Sequence, residues 1–161
     1  MTTITHDKVV GVLFGAIGVD ELEPFIRRAF VWDADLLGLF HISPGDLDHC
    51  TRHTYDRVRE GAEEYGVEVE CYALYSESGI PIGFTVFACN SLYSFGINSL
   101  YRKTGHVEKW LAQCENMCGG GMGTVLNAKN TRAVKFFIRN GYEIVPQYGA
   151  EIVFLRKIKQ L

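Results

Sequence analysis

The run Ile97-Asn98-Ser99-Leu100-Tyr101-Arg102-Lys103-Thr104-Gly105-His106-Val107 decides how the chain is read, because a strand pattern passes directly into a short basic loop and then into a helical pattern. Upstream, Leu92 to Ser99 reads as a strand, with Asn90-Ser91 as its connection. Downstream, Val107, Trp110, Leu111, Cys114 and Met117 recur at helical spacing until Gly119-Gly120-Gly121 stops them. The first amides of such a helix have no partner inside it and add their partial positive charge to the loop. A turn of this kind suits a pyrophosphate. Arg102 and Lys103 would reinforce it, and Gly105 would let the backbone approach the phosphates with no Cβ in the way. Taken alone, Arg-x-x-Gly before a helix fits a plain strand–helix turn with two solvated cations better than a phosphate site.

Working outward, the N-terminal side opens with the apolar run Val9 to Val19, read as a buried first strand. Asp20 with Glu23 three residues on predicts a helix start, and Leu22, Phe25, Ile26, Ala29 and Phe30 carry its period to about Val31. Ser43-Pro44 predicts a second helix, with Leu47, Cys50, Thr54, Val58, Ala62 and Tyr65 on one face and Gly66 at its end. From Val67 the period becomes two, and Ser78-Gly79 turns the chain into Ile80, Ile82, Phe84 and Val86, an antiparallel hairpin. On the C-terminal side, Thr124 to Asn127 reads as a short strand and Asn130 to Asn140 as a helix closed by Gly141. Tyr142 to Val145 and Glu151 to Ile158 read as final strands. The order β-α-α-β-β-β-α-β-α-β-β predicts a mixed α/β fold, a mostly antiparallel sheet flanked by helices with one strand-helix-strand crossover.

The 161 residues suit a single domain, 1–161, with no repeat or low-complexity tract to divide it. A formal charge of −3 lacks the basic footprint of a general nucleic-acid binder. Five cysteines without a CxxC pair suggest free thiols in a reducing, cytoplasmic setting rather than a disulfide framework or zinc knuckle. The eleven-residue run Val9 to Val19 is far short of the roughly 20 residues that span a bilayer. Its setting, with Asp7-Lys8 before it and Asp20-Glu21 after, does not fit a secretory leader. Asp46, His49 and His53 fall near one helix face but read as an exposed polar face, so no metal site is expected. Cys89 reads as packing rather than a nucleophile, and Gly119 to Gly123 as a turn, since a helix precedes it and a strand follows, the reverse of a phosphate loop.

A second segment, Asn130-Thr131-Arg132-Ala133-Val134-Lys135-Phe136-Phe137-Ile138-Arg139-Asn140-Gly141-Tyr142, resembles the N-x-x-A-x-x-x-Y-x-x-x-G-F signature of the GCN5-related N-acetyltransferase superfamily at Asn130, Ala133, Gly141 and Tyr142. It follows a segment similar to that family's V-x-P-x-Y-R-x-x-G-x-G/A loop, matched at Ile97, Tyr101, Arg102 and Gly105. The resemblance implies an acyl-CoA-dependent transfer of an acetyl group from acetyl-CoA to an amine acceptor. It implies a strand over Leu92–Ser99 splayed from Thr124–Asn127, so that unpaired main-chain groups around Ile97, Asn98 and Ser99 meet the pantetheine arm. Backbone groups of Arg102, Lys103, Thr104, Gly105, His106 and Val107 would then hold the pyrophosphate. Asn130 would contact the pantetheine or tie the crossover together, with Ala133 and Phe137 of its helix along the acyl donor. The acceptor would enter from the opposite side, walled by the first two helices and the Gly141–Ile158 hairpin.

Two positions depart from the pattern. Val107 stands where the loop ends in Gly or Ala, and Phe137 stands where many members carry the Tyr that protonates the departing sulfur. Phe has no proton to give. No catalytic residue is nominated; Glu68, Glu70 and Tyr93 are candidates by location only. The departures support an alternative, a catalytically silent binding or structural protein of the same fold, such as a bacteriophage virion or assembly component. Under either reading the chain is expected in the cytoplasm, or in host cytoplasm or virion if phage-encoded. No membrane partner is expected, and oligomerisation is left open.

Overall fold

The computed structural model describes residues 11–31, 47–64, 66–89, 91–128, 130–145 and 152–157. Its elements follow the expected order: β1 (Val12–Ile17), α1 (Val19–Phe30), α2 (Leu47–Glu63), β2 (Val69–Ser76), β3 (Pro81–Ala88), β4 (Ser91–Ile97), α3 (His106–Met117), β5 (Gly123–Asn127), α4 (Thr131–Arg139), β6 (Glu143–Val145) and β7 (Ile152–Arg156). The strands form one sheet in the order β1-β2-β3-β4-β5-β7-β6. All pairings are antiparallel except β4 with β5, which α3 connects. The last hairpin reverses so that β7 fills the place between β5 and β6.

Two apolar clusters cover the two faces of the sheet. On one, Leu22, Phe25, Ile26, Ala29 and Phe30 of α1, with Cys50 and Val58 of α2, pack on Cys71, Ala73, Phe84 and Val86. On the other, Trp110, Leu111 and Cys114 of α3, with Ala133 and Phe137 of α4, pack on Leu74, Ile82, Phe87, Leu92, Phe95 and Ile97. Because both faces are covered, β3 is buried from Ile82 through Ala88 and loses the polar face that alternation would give an open sheet. Thr85, polar and wholly buried, accepts a hydrogen bond from Trp110 Nε1 at 2.8 Å.

Several boundaries differ from the sequence reading. Gly18, not Asp20, caps α1, and its carbonyl accepts from the Glu21 amide at 3.0 Å. Asp20 and Glu21 instead sit in the first turn, where the helix dipole favours them. The buried stripe of α2 ends on Gly61 rather than Ala62, because Tyr93 seats there and a Cβ at position 61 would come 2.8 Å from its hydroxyl. β4 stops at Ile97, and Ser99–Tyr101 forms a 3-10 turn capped by the Asn98 side chain, which accepts from the Leu100 amide at 3.0 Å. Val9, Val10, Ser43-Pro44, Asp46, Tyr65, Asn90 and the start of the final strand lie outside the described residues.

Candidate functional site

β4 and β5 share only two rungs, Ser91 with Gly123 and Leu92 with Thr124. Thr124 Oγ1 donates to the Leu92 carbonyl at 3.2 Å across the last of them. Directly after Leu92, the register of β4 against β3 slips, so that Val86 faces Ser94 while Phe87 faces Leu92 and Tyr93 has no opposite number. An extra residue of this kind bends its strand and sharpens its twist. β4 therefore leaves β5 at the bulge, and the two strands form a fork.

The direction of the main-chain groups beyond Leu92 follows from strand geometry. The Asn98 amide donates to Ile82 O of β3 at 2.7 Å, and Gly96 lies opposite Phe84. Successive residues of a strand point their amides and carbonyls to opposite edges. Phe95 and Ile97 therefore present theirs to the fork. The Ile97 carbonyl receives Arg102 Nε at 3.1 Å, consistent with that orientation.

A cavity of about 350 Å³ fills the mouth of the fork. It is lined by Phe95, Ile97 and Ser99, by Arg102, Lys103, Val107 and Trp110, and by Arg132, Ala133, Phe136, Phe137 and Arg139 of α4. Four cations thus border one hollow in a chain of formal charge −3. The α3 N-terminus opens beside it: Gly105 caps the helix at φ 88°, a left-handed geometry open to Gly at little cost, and offers no side-chain cap to the first amides. Aromatic rings form the floor. Phe137 is wholly buried against Phe95, Phe136 and Tyr142, with ring centroids 5.9, 5.4 and 5.1 Å away, and Phe95 lies 5.2 Å from Trp110.

Of the residues expected here, Ile97, Ser99, Arg102, Lys103, Val107, Ala133 and Phe137 line the cavity. Others serve the frame. The Asn98 side chain turns away and donates to Ala29 O of α1 at 2.9 Å. Thr104 donates to Tyr101 O at 3.1 Å and lies 2.6 Å from His106 Nδ1, while His106 Nε2 lies 3.2 Å from Glu77 Oε1. Glu77 also accepts the Gly11 amide at 2.7 Å, and this bond, with the His106 contact, holds its carboxyl below the ordinary range. The basic loop is thereby tied to the β2–β3 turn. Asn130 caps α4, its side-chain oxygen accepting from the Ala133 amide at 3.3 Å.

Of the location-only candidates, Glu68 and Glu70 border a separate hollow of about 230 Å³ with Phe87, Cys89, Met117 and Cys118, away from the fork. Tyr93 stands at the fork but packs on the α1/α2 face. His49 and His53 stack 6.2 Å apart on the exposed side of α2, and no metal-ligating group converges among the described residues. Sequence reasoning missed Phe95, Trp110, Arg132, Phe136 and Arg139. Arg132, Phe136 and Arg139 recur at i, i+4 and i+7, one helical stripe, and that spacing could have found them.

No protein-family profile and no curated protein sequence matches the chain. Solved structures do. An acetyltransferase from Thermus thermophilus superposes with a TM-score of 0.66 at 15% identity, over 91% of this chain and 96% of that one. The PaiA N-acetyltransferase of Thermoplasma acidophilum, solved in complex with coenzyme A, superposes with a TM-score of 0.62 at 14% identity, over 91% of this chain and 98% of that one. A nucleotide-linked sugar GNAT, FdhC, gives 0.54 at 16% identity, over 91% of this chain and 85% of that one. Among the described residues, seven strands in this order, four α-helices and a fork between the parallel pair make this the GCN5-related N-acetyltransferase fold.

Proposed function

We propose that the chain is an acyl-CoA-dependent N-acyltransferase that moves an acetyl group from acetyl-CoA to an amine. The observation that carries this reading is the open fork, with edge groups of Phe95 and Ile97 facing a hollow ringed by Arg102, Lys103, Arg132 and Arg139. Unmade strand hydrogen bonds are costly when dry, so an amide-bearing pantetheine that completes them gains binding energy. The cations and the first amides of α3 complement phosphate charge. The coenzyme A held by the Thermoplasma neighbour supports the same ligand here.

The residues present fit the donor in a divided way. Phe95 and Ile97 hold the pantetheine by their main chain, and Arg102 through Val107 hold the pyrophosphate. Ala133, Phe136 and Phe137 form the apolar wall of α4. Asn98, Thr104, His106 and Asn130 act by fixing the loop and helix ends rather than by side-chain contact. Bound acetyl-CoA would supply the acyl group as a thioester, whose CoA thiolate is a fair leaving group without protonation.

One observation favours the second reading, a silent binding protein of this fold: among the described residues lining the cavity there is no carboxylate, imidazole, thiol or phenol. Calorimetry with acetyl-CoA, followed by thiol release with an amine panel, separates the two. Micromolar binding with amine-dependent thiol release is expected. Binding without turnover favours the silent binding protein, and no heat at millimolar ligand removes the transferase reading and favours a structural protein of this fold.

A further inference from the structure

The face of the fork opposite the cavity belongs to α2. Tyr93, the unpaired residue at the bulge, turns its ring to this side and donates its hydroxyl to Arg57 O at 3.3 Å. Gly61 leaves the space that the hydroxyl occupies. Glycine inside a helix is less favourable than Ala, and here its missing Cβ is what lets the ring seat. Above the ring lies the Arg57 guanidinium, its carbon 4.9 Å from the ring centroid.

Arg57 is half-buried, and no carboxylate among the described residues lies within ion-pair distance of it. Its electrostatic surroundings are the Tyr93 ring and hydroxyl, and burial pulls its pKa down. Other partly covered cations differ: Arg27 meets Asp48 at 2.8 Å, and Lys157 meets Glu115 at 3.1 Å. A half-buried guanidinium stacked on one face, with the Tyr93 hydroxyl beside it and no counter-charge among the described residues, keeps N–H donors for an anion from outside the chain. A single positive charge with a planar pair of donors matches a carboxylate.

The donor fills one side of the fork, so an acceptor reaches the vertex from the other, where Arg57 stands. We infer that Arg57, stacked on Tyr93 at the fork vertex, binds a carboxylate on the acceptor, so that the acceptor is an amine of the amino-acid class rather than a polycation. This deepens the transferase reading and rests on it.

The test compares matched amines with the intact protein and acetyl-CoA: L-phenylalanine against 2-phenylethylamine, and L-lysine against 1,5-diaminopentane. In parallel, calorimetry on the CoA-loaded protein compares N-acetyl-L-phenylalanine with N-acetyl-2-phenylethylamine, which needs no turnover. The carboxylate member is expected to be preferred by about tenfold or more in each pair. Arg57→Gln should bring the ratio near one with CoA affinity unchanged, and Arg57→Lys should keep part of it. Preference for the decarboxylated amine, equal binding of the two acetylated probes, failure of both to bind, or a ratio that survives Arg57→Gln overturns the assignment. Absence of CoA binding by the wild type overturns the transferase reading instead, and the assignment with it.

Discussion

Arg102 is where the charge of the basic loop and the edge of the fork meet, so its removal tests the donor site most directly. Its Nε donates to the Ile97 carbonyl at 3.1 Å, which fixes the base of the guanidinium against β4 and brings the group to the cavity wall. A hydrogen bond to an ionised group contributes about 1.5–3 kcal/mol. At about 1.4 kcal/mol per tenfold, loss of one Arg–phosphate contact weakens CoA binding by about 10- to 150-fold. The internal bond to Ile97 is a neutral-acceptor contact of about 0.5–1.5 kcal/mol net. Arg102→Ala should therefore also lower Tm, by about 1–6 °C for a chain of this size. Arg102→Lys retains the charge without the planar fork and should fall between the two proteins.

The assay is calorimetric titration of each protein with CoA and with pantetheine, which has the same arm and no phosphates. Pantetheine affinity should change by no more than about twofold, because the contacts proposed for that arm are with Phe95, Ile97 and α4. A folded Arg102→Ala protein with wild-type CoA affinity refutes the loop assignment. An equal loss for pantetheine refutes the division of labour between loop and strand edge.

Three further outcomes follow from the same structure. Phe137→Tyr places a phenol on the aromatic floor of the cavity; if that ring edge meets the leaving sulfur, kcat should rise toward the roughly 10²-fold that a general acid supplies, with KM unchanged. A lowered Tm with no gain in kcat would show that the ring edge points into the core. Thr85→Val leaves the buried Trp110 Nε1 donor unpaired, a cost of about 1–3 kcal/mol, and thermal unfolding should fall by about 2–12 °C; an unchanged Tm would mean that the bond contributes nothing. Burial pushes the Cys71 thiol up to about 11 from 9.0, and raises Cys114 and Tyr142 as well. The folded chain then keeps protons that the unfolded chain has released, so this contribution is complete below about pH 9 and is lost as pH rises to about 11. The urea midpoint should drop across that window and drop less in Cys71→Val, whereas a flat profile would contradict the assignment.

The parts of the fold that were legible in the sequence are those where one local pattern has one solution. The apolar face of α1, the hairpin at Ser78-Gly79 and the left-handed Gly141 at φ 92° follow from periodicity and turn chemistry. The bulge does not: Leu92 to Ser99 reads as one continuous strand, and only the partner strand shows that Tyr93 is the extra residue. Nor does the place of β7, since strand order depends on which edge remains open after α4 crosses. At the site, the loop residues were found because strand, cations and glycine are contiguous. Arg132 and Arg139 were missed because cations on a helix face look solvated until another element is known to approach them. Asn98 shows the converse, since its place at a strand end suits a ligand amide and a structural cap equally, and only the Ala29 carbonyl decides.

The divergence of β4 from β5 needs a physical reason, because two parallel edges a few residues long would ordinarily pair. Zipping β4 onto β5 past Leu92 requires the bulge at Tyr93 to be drawn straight. That would lift the Tyr93 ring out of the space at Gly61 and break the bond from its hydroxyl to the main-chain carbonyl of residue 57, the seat that α2 provides. It would also pull Ile97 from Arg102. Left apart, the edges border a hollow of about 350 Å³, room enough for solvent or ligand to reach their polar groups. Amide exchange should report this asymmetry residue by residue. Gly96, facing Phe84 of β3, should exchange slowly, and Phe95 and Ile97, facing the fork, should exchange faster and become protected when CoA is added. Equal protection of all three amides in the free protein would mean that the fork is closed in solution, and the donor site proposed for it would have no edge to bind.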